Sequence, residues 1–515
     1  MEQFIERHRD GIAGVLEGFD RVLFRGTLGS ISYVQGFDRF MGASGLLLKD
    51  FKSFAERCTA KLAAHAEAVA GRAGRPHRYL PSAATDKEAL ARSIAERDGI
   101  DSGLICVLSC VEPCMSFNVR GSRRTRKLEL VKQQRKCRFF YFYYQHEEFG
   151  LMHVRLQSWL PFDVQVCLNG RSYLQRQLDR AGIGYRKADN CFTSIDDVPR
   201  AQRILDRLTT RDWCATLGRI VGPLNPLLKR GGPLASVFGY YWTFRASEVA
   251  TDVMFTDAAA LGRVYPNLCR HAIEQLSSGD VLRFLGKKPV GRFNQQVTSD
   301  LKRRVEGVRV KHYVGANSIK MYDKQGCVLR IETTIHDPHQ FQVWRRAQGD
   351  GRSKFAWRKM RKGVADTARR VTVSRDANHR YLAALAVVQD ATPAHRVFDP
   401  VSQAVKKNGC RYRGLRPVCP DDAALFQAVM RGEHLLHGFT NRDVQTAWFD
   451  RPPRDGAERT RRSSAVGYRL RLLRRHGLIR KVNRRRLYRI TDKGHRVMTL
   501  ALAMRASNGA GLQAA

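Results

Sequence analysis

The chain is short of acid. Asp and Glu total 48 against 90 Lys and Arg, a formal net charge of +42 on 515 residues. Such an excess repels itself in a compact state, and a bound polyanion offsets the repulsion. A typical acidic metabolic enzyme is excluded, and nucleic acid becomes the leading partner, DNA before RNA. Long apolar runs are also missing. No stretch approaches about 18 consecutive apolar residues, so no membrane-spanning helix and no membrane partner is expected. The start, MEQFIERHRDGIAGVLEGFDRV, has no apolar core of a signal peptide. The 12 cysteines include no CxxC pair. Cys106, Cys110 and Cys114 lie four apart in a strand-like run, too far apart to grip one ion. Buried thiols in a cytoplasmic protein are the expectation. No Walker A pattern and no GxGxxG after a strand occurs, so no nucleotide or organic cofactor is expected.

What is there reads as an α+β multidomain chain, with antiparallel sheets in its N-terminal and middle segments. Residues 1–220 form the first domain. Residues 1–70 look mainly helical, broken by strand-like Arg21–Leu28. A basic run, Arg120–Arg138, holds nine Lys and Arg against Glu129 and feeds the six-aromatic strand Phe139–Tyr144. Its Arg123, Arg124, Arg126 and Lys127 are candidate phosphate contacts, while the aromatic rings read as core. Asn169-Gly170 suggests a turn. Prolines and glycines near 223–233 mark a boundary, and 236–390 reads as a second α+β domain. Within it Arg352–Arg370 is a second basic stretch interleaved with Phe355 and Trp357. Arg358, Lys359, Arg361 and Lys362 are its candidate nucleic-acid contacts. Residues 391–420 read as a linker, 421–505 as a third domain and 506–515 as a disordered tail.

The third domain carries the clearest pattern. Helix Asp421–Arg431 is followed by a second helix whose Thr440 and Asp443 have capping-box spacing. In a third helix, Ala457–His476, the residues Val466, Leu470 and Leu473 fall on one face, and Gly477 sits where a left-handed cap belongs. LIRKV and LYRIT then make two strands around a basic tip. Between 451 and 496, 17 Lys and Arg face Asp455, Glu458 and Asp492, a net of +14. The stretches SSAVGYRLRLLRRHGLIRKV and RRRLYRITDKG resemble the winged helix-turn-helix domains of MarR- and ArsR-like regulators. The resemblance implies a third helix in the major groove and a wing on the backbone. It implies Arg461, Arg462, Ser463, Ser464 and Arg469 near bases or phosphates, with Arg484, Arg485 and Arg486 as the wing contact.

Two constellations suggest chemistry. NSIKMYDKQGCVLRIETTI, Asn317–Ile335, reads as a hairpin. Lys320, Tyr322 and Lys324 share one strand face, and Arg330 and Glu332 share a face of the return strand. Tyr322 would attack a phosphodiester, Lys324 would stabilise the developing charge, and Glu332 would bind a metal ion. The stretch resembles the "YDK…LRxE" segments of phage and plasmid replication initiators, although their His-hydrophobic-His metal motif is absent. An ordinary salt-bridged hairpin is the alternative.

The second constellation is acidic. Asp20 precedes the first strand, Asp252 lies inside apolar ATDVMF, and Asp257 follows it. An acid in an apolar strand is costly unless paired or metal-bound. Asp252 and Glu332 are the candidate ligands of Mg²⁺ or Mn²⁺, with Asp20 and Asp257 beside them. Asp252 capped by an arginine such as Arg245 is the alternative. The expectation is a DNA-binding protein of a mobile element or plasmid, initiator- or transposase-like. A large non-catalytic transcriptional regulator, whose N-terminal part forms a homo-oligomer or senses a ligand, and an RNA-binding or RNA-guided protein are the other two readings.

Overall fold

Buried positions recur with period two from Leu16 to Phe24, which is the signature of a strand. In the computed structural model of the chain this segment is β1, Ile12–Thr27: the strand expected from Arg21 is present, but it begins already at Ile12, where the sequence suggests helix. Its glycines explain the difference. They cost helix stability and let neighbours close in: a Cβ on Gly18 would stand 2.7 Å from Leu205. The described residues are 1–124, 126–286, 297–304, 307–347, 354–386, 394–407, 409–431, 434, 438–449, 451–482 and 486–506.

The fold is α+β. In chain order the strands after β1 are β2 (His77–Tyr79), β3 (Gly103–Gly121), β4 (Leu128–His146), β5 (Gly150–Gln157), β6 (Val164–Asn169), β7 (Tyr185–Ala188), β8 (Cys191–Ile195) and β9 (Tyr241–Phe255). Then come β10 (Val297–Arg304), β11 (Gly307–Val314), β12 (Asn317–Lys324), β13 (Val328–Ile335), β14 (Gln342–Arg345) and β15 (Ala356–Lys359). Short pairs close the series: β16 (Val405–Lys407), β17 (Cys410–Tyr412), β18 (Ile479–Lys481) and β19 (Tyr488–Ile490).

The chain divides into two compact units, and the division is not the sequential one expected. One unit joins Ala13–Thr256 to Glu332–Arg375. The other gathers Met1–Ile12, Asp257–Ile331 and Asp376–Ala515. The boundary expected near 223–233 fails because β9, beyond it, lies beside β1 in the sheet. Strand pairing outweighs the local proline and glycine signal.

In the first unit the strand order is β9-β1-β6-β5-β4-β3-β2, and Glu332–Ile335, the end of β13, lies beside β9. β1 with β6, β6 with β5, β5 with β4 and β4 with β3 run antiparallel, whereas β2 and β3 run parallel. Phe139 to Tyr143 are buried on both faces of β4, so this run is core as expected. Cys106, Cys110 and Cys114 are buried too, and Cys110 and Cys114 pack with these rings. Asn169-Gly170 is not a hairpin turn. The Asn169 side chain accepts from the Arg171 and Ser172 amides at 2.8 and 2.9 Å and so starts helix Gly170–Ala181.

In the second unit β10, β11 and β12 pair antiparallel. Its C-terminal part is a helical cluster. Helix Asn441–Trp448 opens with the Thr440–Asp443 capping box, helix Gly456–Arg475 follows, and β18 and β19 pair before helix Asp492–Ala506. Val466, Leu470 and Leu473 are buried, each worth about 1.5–3 kcal/mol of transfer free energy. Gly477 takes φ +74°, as a left-handed helix terminus requires. The expected linker is partly structured instead. It holds helix Ala394–Ser402 and the β16–β17 pair, and Val397, Phe398, Val401 and Leu415 join the same core. Apolar residues spaced along a short helix outweighed its prolines and glycines. Of the expected tail, Ala506 ends the last helix and 507–515 lie outside the described residues.

Candidate metal centre and basic cleft

Three carboxylates meet on neighbouring strands of the first unit. Asp20 stands on β1, Glu248 on β9 and Glu332 at the end of β13. One oxygen of each lies within 4.8 Å of the other two. Asp20 and Glu332 are buried, and Glu248 is half-buried. The Asn190 amide donates to Asp20 Oδ1 at 2.6 Å and fixes its direction. Carboxylates this close repel one another unless a proton or a cation joins them. Two oxygens on one divalent ion stand at most about 4–5 Å apart, since Mg–O and Ca–O bonds are about 2.0–2.6 Å. The set is all oxygen, which suits Mg²⁺ or Mn²⁺.

Of the acids singled out in the sequence, Asp20 and Glu332 come together and Asp252 does not join them. Asp252 faces Arg171, whose Nη2 lies 2.8 Å from Oδ2, and both side chains are at most 1% exposed. Arg171 also donates to the Phe19 and Ala250 carbonyls at 3.4 Å. The approach depends on Gly170, because a Cβ there would stand 1.9 Å from the Phe19 carbonyl oxygen. The arginine on Asp252 is therefore Arg171, not Arg245. Asp257 is an N-cap, accepting from the Ala260 amide at 2.7 Å. Glu248 was missed. The argument applied to Asp252, an acid among apolar strand residues, holds equally for Glu248 in SEVATDV.

A cleft of about 630 Å³ opens in the same unit. Its lining carries Arg21, Lys87, Arg92, Arg155 and Arg245 against Asp86 and Glu88. Glu112 braces one wall: Arg155 Nη2 donates to it at 2.6 Å, Tyr141 Oη at 2.7 Å, and Lys87 Nζ lies at 3.3 Å. Burial alone would raise Glu112, but the hydrogen bonds from Tyr141, Cys110 and Arg155 prevail and hold it at about 2. Burial, helped by Arg21, Arg155 and Lys87, lowers His153 to about 3, so its ring is neutral at pH 7. Arg245 is lowered by burial and then by the charges of Arg155 and Arg25, which makes this corner a crowd of cations. Arg21 is raised, first by Cys167 and further by Glu248. Glu248 thus ties the cleft electrostatically to the carboxylate cluster.

The other expected residues fall elsewhere. Tyr322 is half-buried on β12 with Lys320 Nζ 5.3 Å from its ring centre, and Lys324 is buried at 8% exposure. The β12–β13 turn forms as expected, with Gln325 and Gly326 both left-handed. Arg123, Arg124, Arg126 and Lys127 are exposed at the turn joining β3 to β4. Lys359 and Lys362 are exposed and Arg358 half-buried, whereas Arg361 is taken by Asp366 at 3.0 Å.

In the second unit a hollow of about 1050 Å³ lies between helices Asn441–Trp448 and Gly456–Arg475 and the β18–β19 pair. Arg442, Arg451, Arg459, Lys481 and Arg486 line it and are exposed. Two expected contacts are engaged within the chain, although Arg462 also lines the hollow. Arg462 is held by Glu458 at 2.6 Å and by the Arg451 carbonyl, with Phe449 under its guanidinium. Arg469 is held by buried Asp422 at 2.9 Å. Arg461 and Ser464 are exposed, and the Ser463 carbonyl accepts from Asn441. Arg442, Arg451, Arg459 and Lys481 were missed as hollow-lining cations, since the sequence shows a dense run of basic residues but not which ones face the hollow. Arg484 and Arg485 lie outside the described residues. Among the described residues no helix is long and apolar enough to cross a membrane. No protein family, curated protein or solved structure matches the chain.

Proposed function

We propose that the chain is a metal-dependent nucleic-acid-processing enzyme that cuts or transfers phosphodiesters. The observation that carries this reading is the Asp20–Glu248–Glu332 cluster. Three strand-borne carboxylates would hold Mg²⁺ or Mn²⁺, and the ion would polarise the phosphate and activate the attacking hydroxyl. The nucleophile is then water or a nucleic-acid 3′-hydroxyl. Tyr322 is not required, and the nicking-tyrosine reading recedes behind the metal one. The basic cleft supports the substrate class. Its cations would hold phosphates in the unit that carries the cluster, while neutral His153 adds no charge.

In this reading the C-terminal cluster is a winged helix-turn-helix that docks on duplex DNA through the arginine-lined hollow. A mobile-element or plasmid role fits a chain that joins a site-binding domain to phosphodiester chemistry.

The test is a denaturing gel of end-labelled single- and double-stranded DNA with Mg²⁺ or Mn²⁺. Asp20→Asn, Glu248→Gln and Glu332→Gln should each lower cleavage about a thousandfold, equivalent to several kcal/mol of lost transition-state stabilisation. Tyr322→Phe should leave it unchanged. Loss in Tyr322→Phe with survival in the three carboxylate variants would return the chemistry to the hairpin. RNA run on the same gel separates the RNA alternative.

A further inference from the structure

Only two tryptophans are among the exposed large hydrophobic side chains, and they stand side by side. Trp344 on β14 and Trp357 on β15 are directly paired across the two-stranded ladder, 47% and 51% exposed. Their ring centres are 5.7 Å apart at 65°, edge to face, so the pair leaves ring surface open to solvent. Val343, between Gln342 and Trp344, is buried, so the ladder has one packed face and presents its tryptophans on the other. Phe355, 46% exposed, adds a third ring with the Arg346 guanidinium 5.0 Å from its centre. Exposed cations flank the rings: Lys354, Lys359 and Lys362. Asp366 lies nearby in the chain but is occupied by Arg361 and Arg369. Leaving large aromatic surface in water is unfavourable, and a cluster of it marks a binding face.

We propose that the β14–β15 ladder is a stacking platform for unpaired bases of single-stranded nucleic acid. The inference rests on the nucleic-acid reading above but not on its metal chemistry. Rings take the faces of successive bases, and lysines take the phosphates between them. Duplex bases are already stacked and offer no such faces. The charge decides against an apolar protein partner, since three exposed lysines rim the rings and Arg346 sits over one of them. A strand separated from its complement would rest here while its phosphodiester is processed.

The experiment is quenching of tryptophan fluorescence in EDTA, titrating oligothymidylate, oligouridylate and a short DNA duplex of about 12 base pairs. Single strands should quench. Trp344→Ala and Trp357→Ala should each weaken single-strand affinity roughly 5- to 100-fold, the range that stacking of one base carries. Trp357→Phe should keep most of the affinity, and duplex affinity should stay within about twofold of wild type. Because the rings are exposed, the alanine variants should melt like the parent, which separates lost binding from lost folding. Absence of quenching, or equal weakening for duplex, overturns the proposal. So does conversion of a wild-type dimer to monomer in Trp357→Ala, which would make the ladder a self-association face. Glu332→Gln should quench like wild type, so a failed metal reading and a failed platform give different results. The oligothymidylate and oligouridylate arms report whether the strand is DNA or RNA.

Discussion

β9 carries two acids four residues apart, and the fold treats them in opposite ways. Asp252 meets a buried arginine, so its charge is answered within the chain. Glu248 meets Asp20 and Glu332, so its neighbours include two carboxylates of its own sign. A buried ion pair is a structural device, and removing one partner leaves an uncompensated charge. A buried cluster of like charges is a place where a cation or a proton settles. The contrast separates architecture from chemistry on one strand, and it can be broken from either side.

The strongest break is Arg171→Ala. It leaves Asp252 buried without its guanidinium and should cost about 3–5 kcal/mol, read as a lower urea midpoint. The guanidinium also serves the Phe19 and Ala250 carbonyls, so Arg171→Lys should recover only part of the loss. By contrast, Glu248→Gln relieves repulsion among three crowded carboxylates and should cost far less than Arg171→Ala. If Arg171→Ala proves harmless while Glu248→Gln unfolds the chain, the roles assigned to the two acids are reversed.

The cluster's own signature is metal-linked stability. Mg²⁺ or Mn²⁺ at about 100 times its dissociation constant should add about 2.7 kcal/mol to the wild type, visible as a rise in Tm. Asp20→Asn and Glu332→Gln should abolish the rise. Asp252→Asn should keep it, at a lower starting Tm. A rise of equal size in all three variants would place the ion elsewhere.

Why were two of the cluster's three acids legible in the sequence? Asp20 is legible because it adjoins a strand-like run, and Glu332 because it sits beside Tyr322 and Lys324 in a hairpin. Their convergence was not readable, because it depends on β9 lying between β1 and the end of β13, and sheet order is a long-range property. By sequence alone nothing separates Glu248 from Asp252, for the same reason. What distinguishes them is Arg171, some 80 positions away in the chain and delivered by the Asn169 cap and the close approach that Gly170 permits. The C-terminal helices were legible because their determinants are local: the Thr440–Asp443 box, the apolar face of Gly456–Arg475 and the left-handed Gly477. Even there the ion pairs of Arg462 and Arg469 were hidden. An arginine's partner sets its role, and neither Phe449 nor Asp422 announces itself as one.

That last distinction gives the smallest effect. Arg486 is exposed on the hollow, whereas Arg469 is spent on Asp422. If Arg486 contacts a phosphate of duplex DNA, Arg486→Ala should weaken binding only severalfold and equally for all sequences. It should also flatten the slope of log affinity against log salt by about 0.9, the value of one released phosphate contact. Arg469→Ala should behave differently. It removes one of two guanidinium partners of buried Asp422, Arg413 remaining at 2.6 Å, so it should lower the melting temperature of the C-terminal cluster modestly and leave the salt slope of the folded protein unchanged. Filter binding across a salt series, with melting curves of the same samples, separates the two. A flattened slope in Arg469→Ala without loss of stability would show that the arginine exchanges Asp422 for phosphate on binding, and its ion pair would then be a resting position for a DNA contact.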